Sequence, residues 1–336
     1  MMSRANFRWL RAGCAACSAS AICVALAGCG VGAVSGPGSA PLAAVANGPQ
    51  LGYLWNSADQ PLRPVLGVPG SAQIGQAVTP AGMYINGAGS PRSAVALLQS
   101  ADGSISSMSL PSGTAQTLAG ANFRGAAQIA FSPSGTDAIL FAPGATSVLL
   151  LSGLRGATQV QTLVAPAPLS SAAVSDTAQV VAVSGSGLLT LALLTGNRST
   201  LGSLTAFGGA SFLPGGDDLL LADSGTGVVT LLRHSSTAPA AQTFTSSAIQ
   251  TPLAVAASLD GRWAVVANGG DPSTVRLDLS GATSPLRIAC GCQPTQLTPF
   301  MGNAVFSLLP LSAVPNWAVD ASAATPRTVF IPAVTQ

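Results

Sequence analysis

The sequence predicts an all-β protein, and three observations lead to that fold class. The chain of 336 residues contains 38 glycines and 24 prolines, residues that favour turns. All of its basic residues are arginines and all of its acidic residues are aspartates, so it lacks lysine and glutamate, two strong helix formers. Beyond residue 30, apolar runs are short and broken by Gly, Pro or Asp. These features favour short strands joined by many turns.

Charge is sparse throughout the sequence. Hydrophobic residues make up 48% of the chain and charged residues only 7%, whereas roughly 25% is usual in soluble domains. No basic patch is available to neutralise phosphates, so nucleic acid is not an expected partner. No apolar run beyond residue 30 approaches the ~20 residues that a membrane-spanning helix needs. We expect a body that behaves as a monomer.

The N-terminus has the layout of a secretory signal. Residues 1–11 carry three arginines and no acid, and the small, apolar run AGCAACSASAICVALAG follows. It ends in LAGC at 26–29, which resembles the lipobox of bacterial lipoproteins. The resemblance implies cleavage of residues 1–28 and lipidation of Cys29, although an ordinary cleaved signal or an uncleaved anchor is the alternative.

This interpretation divides the chain into three parts and gives it a location. Residues 1–28 are the lipoprotein signal peptide, 29–49 a flexible Gly/Ala/Pro tether, and 50–336 the β-rich body. The body would be extracytoplasmic and held at the membrane by its N-terminal lipid. In a Gram-negative cell the expected location is the outer membrane or periplasm, because Gly30 rather than an aspartate follows the cysteine.

Tight-turn tetrapeptides recur along the body. They are TPAG at 79–82, SPSG at 132–135, SDTA at 175–178, LPGG at 213–216, SLDG at 258–261 and PFMG at 299–302. Their spacing is 38 to 53 residues, and the longest interval is attributed to an insertion at 88–93. Such a period indicates a repeat architecture.

The clearest repeat spans residues 252–292. Four short apolar or alternating strands, PLAVAAS, RWAVVANG, TVRLDLSG and PLRIACGC, follow one another within it. This is the pattern of one β-propeller blade. The stretch DGRWAVVANGGDPSTVRLDLSG resembles the YVTN-type propeller repeat, a relative of the WD40 family, with Asp278 at the acidic position before the last turn.

The predicted fold is therefore a β-propeller with seven four-stranded blades. The 287 residues of 50–336 give 41 per blade if there are seven, and six or eight blades remain alternatives. The strands LGYLWN and PLRPVLGV would open a further blade before the first turn. The C-terminal RTVFIP would close the ring beside them. Three tryptophans, Trp55, Trp263 and Trp317, are expected to pack between blades.

Candidate catalytic groups are few. His234 is the only histidine, with Ser235, Ser236 and Asp223 near it in sequence. A Ser-His-Asp hydrolase would need it, but no GxSxG elbow is present. We expect His234 to be a solvated loop residue and predict no catalytic residues.

The aspartates are the remaining candidates for a cation site. Propeller hydrolases of the lactonase kind hold calcium with carboxylates in the central channel, whereas the expected inner strands here read AQIAF, SSAAV, GGASF and LAVAA. We therefore expect the candidate aspartates to stabilise turns. We predict no metal ligand and no cofactor; calcium would be expected only if the protein were a lactonase-like hydrolase. The candidates are Asp217, Asp218, Asp223, Asp260 and Asp271.

Cys290 and Cys292, in RIACGCQP, are the cysteines that follow Cys29. In a regular strand their Cα atoms would lie about 6.6–6.8 Å apart, the far limit for a disulfide, and Gly291 would permit a closer approach. An oxidising compartment favours the bond. A structural disulfide is favoured, with a redox pair and half of a metal site as alternatives.

These observations predict a lipid-anchored, non-enzymatic scaffold of the cell envelope. Its partners would be other envelope proteins or a small ligand. The alternative is an extracytoplasmic lactonase-like hydrolase that uses an aspartate-bound divalent cation in the channel.

Overall fold

The computed structural model describes residues 49–55, 62–78, 80, 82–185, 188–196, 199–310 and 315–332. The predicted signal peptide, the lipobox with Cys29 and nearly all of the predicted tether lie outside them. The described residues form 27 β-strands and no helix, arranged in seven antiparallel sheets. No helix in this part of the chain is therefore long and apolar enough to span a membrane.

The sheets follow one another along the chain as blades. Blade 1 is β1 (Gln50–Trp55), β2 (Leu62–Val68) and β3 (Ser71–Ile74); blade 2 is β4 (Tyr84–Gly89), β5 (Val95–Ser100), β6 (Ser104–Ser109) and β7 (Thr114–Asn122). Blade 3 is β8 (Gln128–Phe131), β9 (Ala138–Phe141), β10 (Ser147–Ser152) and β11 (Gln159–Val164); blade 4 is β12 (Leu169–Val174), β13 (Val180–Ser184), β14 (Leu189–Leu193) and β15 (Ser199–Leu204). Blade 5 is β16 (Phe207–Phe212), β17 (Leu219–Asp223), β18 (Val228–Arg233) and β19 (Ala240–Phe244). Blade 6 is β20 (Pro252–Ala257), β21 (Trp263–Asn268), β22 (Ser273–Asp278) and β23 (Leu286–Ala289); blade 7 is β24 (Thr298–Pro299), β25 (Val305–Ser307), β26 (Asn316–Asp320) and β27 (Arg327–Ile331).

Seven hydrophobic clusters show that the blades form a closed ring. Each cluster combines residues of two neighbouring blades, and every adjacent pair is represented. The last link joins Leu54 and Val65 of blade 1 to Phe300 and Ile331 of blade 7. Because each sheet buries both of its faces against neighbours, the second strands read as continuous apolar runs such as AILF in β9, which is wholly buried. The predicted seven-bladed β-propeller is confirmed.

The predicted turns mark the connection from the first to the second strand of a blade, with one exception. SPSG, SDTA, LPGG, SLDG and PFMG occupy that connection in blades 3 to 7. TPAG at 79–82 instead precedes β4, the first strand of blade 2. The equivalent connection is SPRS at 90–93, which lies 42 residues before SPSG and was interpreted as an insertion. That interpretation was wrong, and the repeat is more regular than the turn sequences suggested.

The ring closes by packing of the terminal blades. The C-terminal strand β27 pairs with β26 inside blade 7 and contacts β3 of blade 1. The amide of Ile74 donates to the carbonyl of Pro332 at 3.4 Å across this junction. RTVFI therefore lies beside the N-terminal strands, as predicted, while it remains in its own sheet.

The three tryptophans do not share one role. A Cβ on Gly87 of blade 2 would lie 2.6 Å from the Trp55 ring, and one on Gly291 would lie 2.8 Å from the Trp317 ring. Trp55 and Trp317 thus pack between blades against glycines that leave room for them. Trp263 instead faces the guanidinium groups of Arg262 and Arg276 in its own blade, at 4.4 and 4.2 Å from the ring centroid.

Candidate functional site

The first strands of blades 2 to 7 run towards one face of the ring, which we call the upper face. It carries the connections between first and second strands: 90–94, 132–137, 175–179, 213–218, 258–262 and 300–304. The opposite, lower face carries the connections between second and third strands. This distinction places every candidate residue.

A cavity of about 250 Å³ lies at the upper end of the central channel. Its walls are the upper ends of the first strands of blades 2 to 7 and the connections that follow them. Small residues dominate because the inner strands converge near the ring axis. One wall residue from each of these blades is Ala88, Ala130, Ala172, Ala210, Ala256 and Thr298.

Arg92 carries the only charge among the described residues that line this cavity. It belongs to SPRS, the connection of blade 2, where its amide donates to Ser90 Oγ and its carbonyl accepts from Arg155 Nη2. Among the described residues its guanidinium has no hydrogen-bond acceptor, and its Nε is buried without a partner. Burial lowers the pKa of Arg92, while the charge of Asp176 partly opposes this. An arginine keeps its positive charge under these conditions.

Asp176 fastens the upper connections of three blades together. From blade 4, its carboxylate accepts from the amide of Ser134 in blade 3 at 2.7 Å and from that of Gly215 in blade 5 at 2.8 Å. Burial raises the pKa of Asp176, but these hydrogen bonds outweigh it, so the pKa lies below its ordinary value. The carboxylate therefore holds the rim of the cavity in one arrangement.

Asp260 has the same role between blades 6 and 7. Asn303 Nδ2 donates to its carboxylate at 2.8 Å, and the Asp260 amide donates to Asn303 Oδ1 at 2.9 Å. Its carboxylate also accepts from the amide of Arg262 within its own turn, the local bonding expected from the sequence. Burial raises the pKa of Asp260, and the hydrogen bonds from Ser258, Arg262 and Asn303 bring it below the ordinary value.

Asp217, Asp218 and His234 bring three metal-type ligands together in the described part of the chain. One candidate ligand atom from each lies within 4.8 Å of the others. Both carboxylates are already engaged, Asp217 by the amide and hydroxyl of Ser236, and Asp218 by Arg233 and the amide of His234. Through these contacts, the turn that holds Asp217 and Asp218 is bonded to the turn that follows β18 on the same face.

The structure does not assemble the Ser-His-Asp set considered from the sequence. His234 is exposed and follows β18 on the upper face. Asp223 ends β17 on the lower face, where it accepts from the amides of Thr205, Ala206 and Gly225. Because β17 and β18 are antiparallel, the two residues lie on opposite faces of the ring. Burial raises the pKa of Asp223 and these bonds more than offset it.

Asp271, the last aspartate candidate, also lies on the lower face. Arg287 binds it through Nε and Nη2, both at 2.7 Å, and Ser273 Oγ donates to it. The Arg287 hydrogen bond, aided by Ser273, lowers the pKa of Asp271 to about 2. None of the five aspartate candidates lines the channel cavity.

Cys290 and Cys292 follow the outermost strand of blade 6. Their Sγ atoms are bonded at 2.04 Å, and their Cα atoms lie 5.0 Å apart, closer than in a regular strand because β23 ends at Ala289. The glycine between them is explained by the Trp317 ring of blade 7. The pair lies at the junction of two blades. Arg287 is the one positively charged residue in the stretch RIACGCQP.

Sequence reasoning missed Arg92. Interpreting SPRS as part of an insertion leaves its arginine without a position at the channel. The signal was present in the spacing, because 90–93 precedes 132–135 by one repeat.

No family model matches the sequence, and no curated protein matches it. Solved structures do match. A functionally unknown protein from Desulfotomaculum acetoxidans has a TM-score of 0.59 at 12% identity, over 85% of this chain and 100% of its own. Hydrazine synthase from Kuenenia stuttgartiensis has 0.54 at 11%, over 84% and 92%.

The β-propeller domain of Cps50 (Swd1) from Myceliophthora thermophila has a TM-score of 0.51 at 13% identity, over 74% of this chain and 88% of its own. At such identities the likeness shows the fold alone. The fold they share with this chain is the β-propeller.

Proposed function

We propose that the protein is a non-enzymatic binding scaffold, anchored in the cell envelope by lipid on Cys29, that holds an anionic ligand in its central channel. The observation that carries the ligand is Arg92: one guanidinium without an acceptor in the described structure, on the wall of a small, otherwise uncharged cavity. A carboxylate on a small apolar body complements both features, since a guanidinium pairs with a carboxylate through two parallel hydrogen bonds and most wall residues are small and apolar.

The rim supports binding because it is held in place before a ligand arrives. Asp176 links blades 3, 4 and 5, and Asp260 links blades 6 and 7. A preorganised site loses less conformational entropy on binding. The walls also offer no carboxylate among the described residues, which is the group that a lactonase-like channel would need. The binding role is therefore favoured over the hydrolase.

The ligand is tested by thermal unfolding with hexanoate, 1-hexanol or calcium chloride. Binding to the folded state raises the melting temperature by mass action. We expect hexanoate to raise it in a concentration-dependent way and hexanol to raise it less. An equal effect of acid and alcohol would contradict the role of Arg92. A shift with calcium alone would support the hydrolase.

The anchor is tested separately. Labelled palmitate fed to cells expressing the full chain is expected to enter the protein, and Cys29→Ala is expected to abolish the label because the thiol is the acylated atom. A Cys23→Ala variant is the matched control and should stay labelled. Label that persists in Cys29→Ala would overturn the anchor.

A role in binding an envelope partner is supported by the propeller fold and by the resemblance to the YVTN-type repeat, because propellers present many loops on two rigid faces. A protein partner in the envelope would dock on one of those faces. A carboxylate at a peptide C-terminus would satisfy Arg92 as well as a free acid. Comparing hexanoate with the tripeptide Ala-Ala-Val, in its acid and amide forms, distinguishes these two sources.

A further inference from the structure

The direction of β1 is opposite to that of the first strand in every other blade. Met301, in the upper connection of blade 7, donates to the carbonyl of Leu51, so β1 begins at the upper face. Tyr53 adjoins Gly89 at the upper end of β4, and Trp55 adjoins Gly87 further down. β1 therefore runs downward beside β4, which runs upward.

A downward strand next to the following blade's first strand is the arrangement of a second strand. β17 of blade 5 contacts β20 in this way, and β9 of blade 3 contacts β12. The rest of blade 1 agrees. The end of β3 lies beside the end of β27, and Arg327 at the start of β27 donates to Pro69 before β3. Strands β1 to β3 thus correspond to the second, third and fourth strands of a blade.

Within the described residues, β1 pairs with β2 alone, so its inner edge is unpaired there. An unpaired inner edge exposes a row of backbone donors and acceptors. In each of the other six blades, a first strand of small and apolar residues covers the same edge. The occupant of this edge must be an extended segment that fits against the channel.

We propose that residues 41–46 of this chain, PLAAVA, form the inner strand of blade 1 by pairing with β1. This sequence closely matches β20, the inner strand of blade 6, which reads PLAVAA. It stands immediately before β1 in the chain, as every first strand does. It also ends near Pro49, whose carbonyl accepts from Gly67 beside the start of β1, so the connection lies on the upper face where the other blades have theirs.

This assignment shortens the tether predicted from composition. Residues 30–40 then join Cys29 to the start of the strand, and an upward strand starts at the lower face. The strand assignment itself does not depend on the lipid.

Hydrogen exchange measured by mass spectrometry on the full chain, purified after processing in its host, tests the strand. We expect the amides of residues 42–46 to exchange roughly tenfold or more slowly than those of 31–39, since strand amides open only with their sheet. Equal, fast exchange in both segments would overturn the proposal. Protection that appears only with dimer formation, followed by sedimentation, would also overturn it by assigning the edge to a second copy.

Two adjacent proline variants extend the test. In an antiparallel edge strand, alternate amides bond the neighbour, so either Ala43→Pro or Ala44→Pro removes a donor to β1, whatever the register. One of the two is expected to increase exchange in residues 50–55 severalfold and lower the melting temperature, while Ala33→Pro in the tether does neither. Identical behaviour of all three variants would contradict the pairing. Because hexanoate binding and palmitate labelling are not used, failure here is separable from failure of the proposed function.

Discussion

At the scale of the residue, aspartates join turns of this chain to one another, alongside hydrogen bonds from Ser, Thr, Asn and Gln side chains. With no glutamate and no lysine, the short aspartate side chain is the only carboxylate available, and it reaches backbone amides in neighbouring turns. Asp176, Asp260 and Asp271 each accept at least two hydrogen bonds, and each has a lowered pKa. Asp260 and Asp271, which are candidate metal ligands in the sequence, thus make hydrogen bonds to turns and neighbouring side chains.

The lowered pKa values predict a stability that falls in acid. A carboxyl group with a lower pKa in the folded state stabilises the fold above its unfolded pKa, about 3.9, and the contribution is lost as pH falls through the folded value. For Asp271 the folded pKa is about 2. We expect Asp271→Asn to be less stable than the native protein at pH 6, and the difference to vanish between about pH 4 and pH 2. Urea unfolding across this range checks it, and a difference that persists at pH 2 would contradict it.

At the scale of the element, the connection between first and second strands is the part of the blade that does most for the site. The blade 2 connection places Arg92 at the cavity, and those of blades 3 to 7 hold the rim. The strands themselves could be predicted, because alternation and short apolar runs follow from burial on both sheet faces. The connections were harder, because SPRS and TPAG both read as turns and only the strand register separates them.

Cross-blade bonding at Asp176 gives a prediction at this scale. Asp176→Ala removes the acceptor for the amides of Ser134 and Gly215. The Ser134 amide is partly buried and the Gly215 amide is exposed, so we expect a loss of about 1 kcal/mol of unfolding free energy, near that of one typical hydrogen bond. Urea or thermal unfolding measures it. Asp102→Ala, which removes only bonds to Ser104 within one exposed turn, is the control and should cost clearly less. Equal losses of unfolding free energy in Asp176→Ala and Asp102→Ala would show that the cross-blade bonds add no stability beyond that of an exposed turn.

At the scale of the whole molecule, the fold was predictable and the site was not. A 41-residue average period, apolar inner strands and the absence of lysine and glutamate lead to a seven-bladed ring. The cavity depends on which six inner strands converge and which single arginine faces between them, and that requires the three-dimensional arrangement. Blade 1 shows the same limit, since only the direction of β1 in the structure reveals that the described residues of this blade lack a first strand.

The central claim is that Arg92 holds an anionic ligand in the channel, and a calorimetric titration with hexanoate tests it most directly. The native protein, Arg92→Ala and Arg124→Ala would be compared, Arg124 being an exposed arginine that does not line the cavity. We predict binding to the native protein and to Arg124→Ala, and a loss of at least roughly tenfold in affinity for Arg92→Ala, since an ionic hydrogen bond contributes about 1.5–3 kcal/mol. Equal affinity for all three proteins, or binding by none, would contradict the claim.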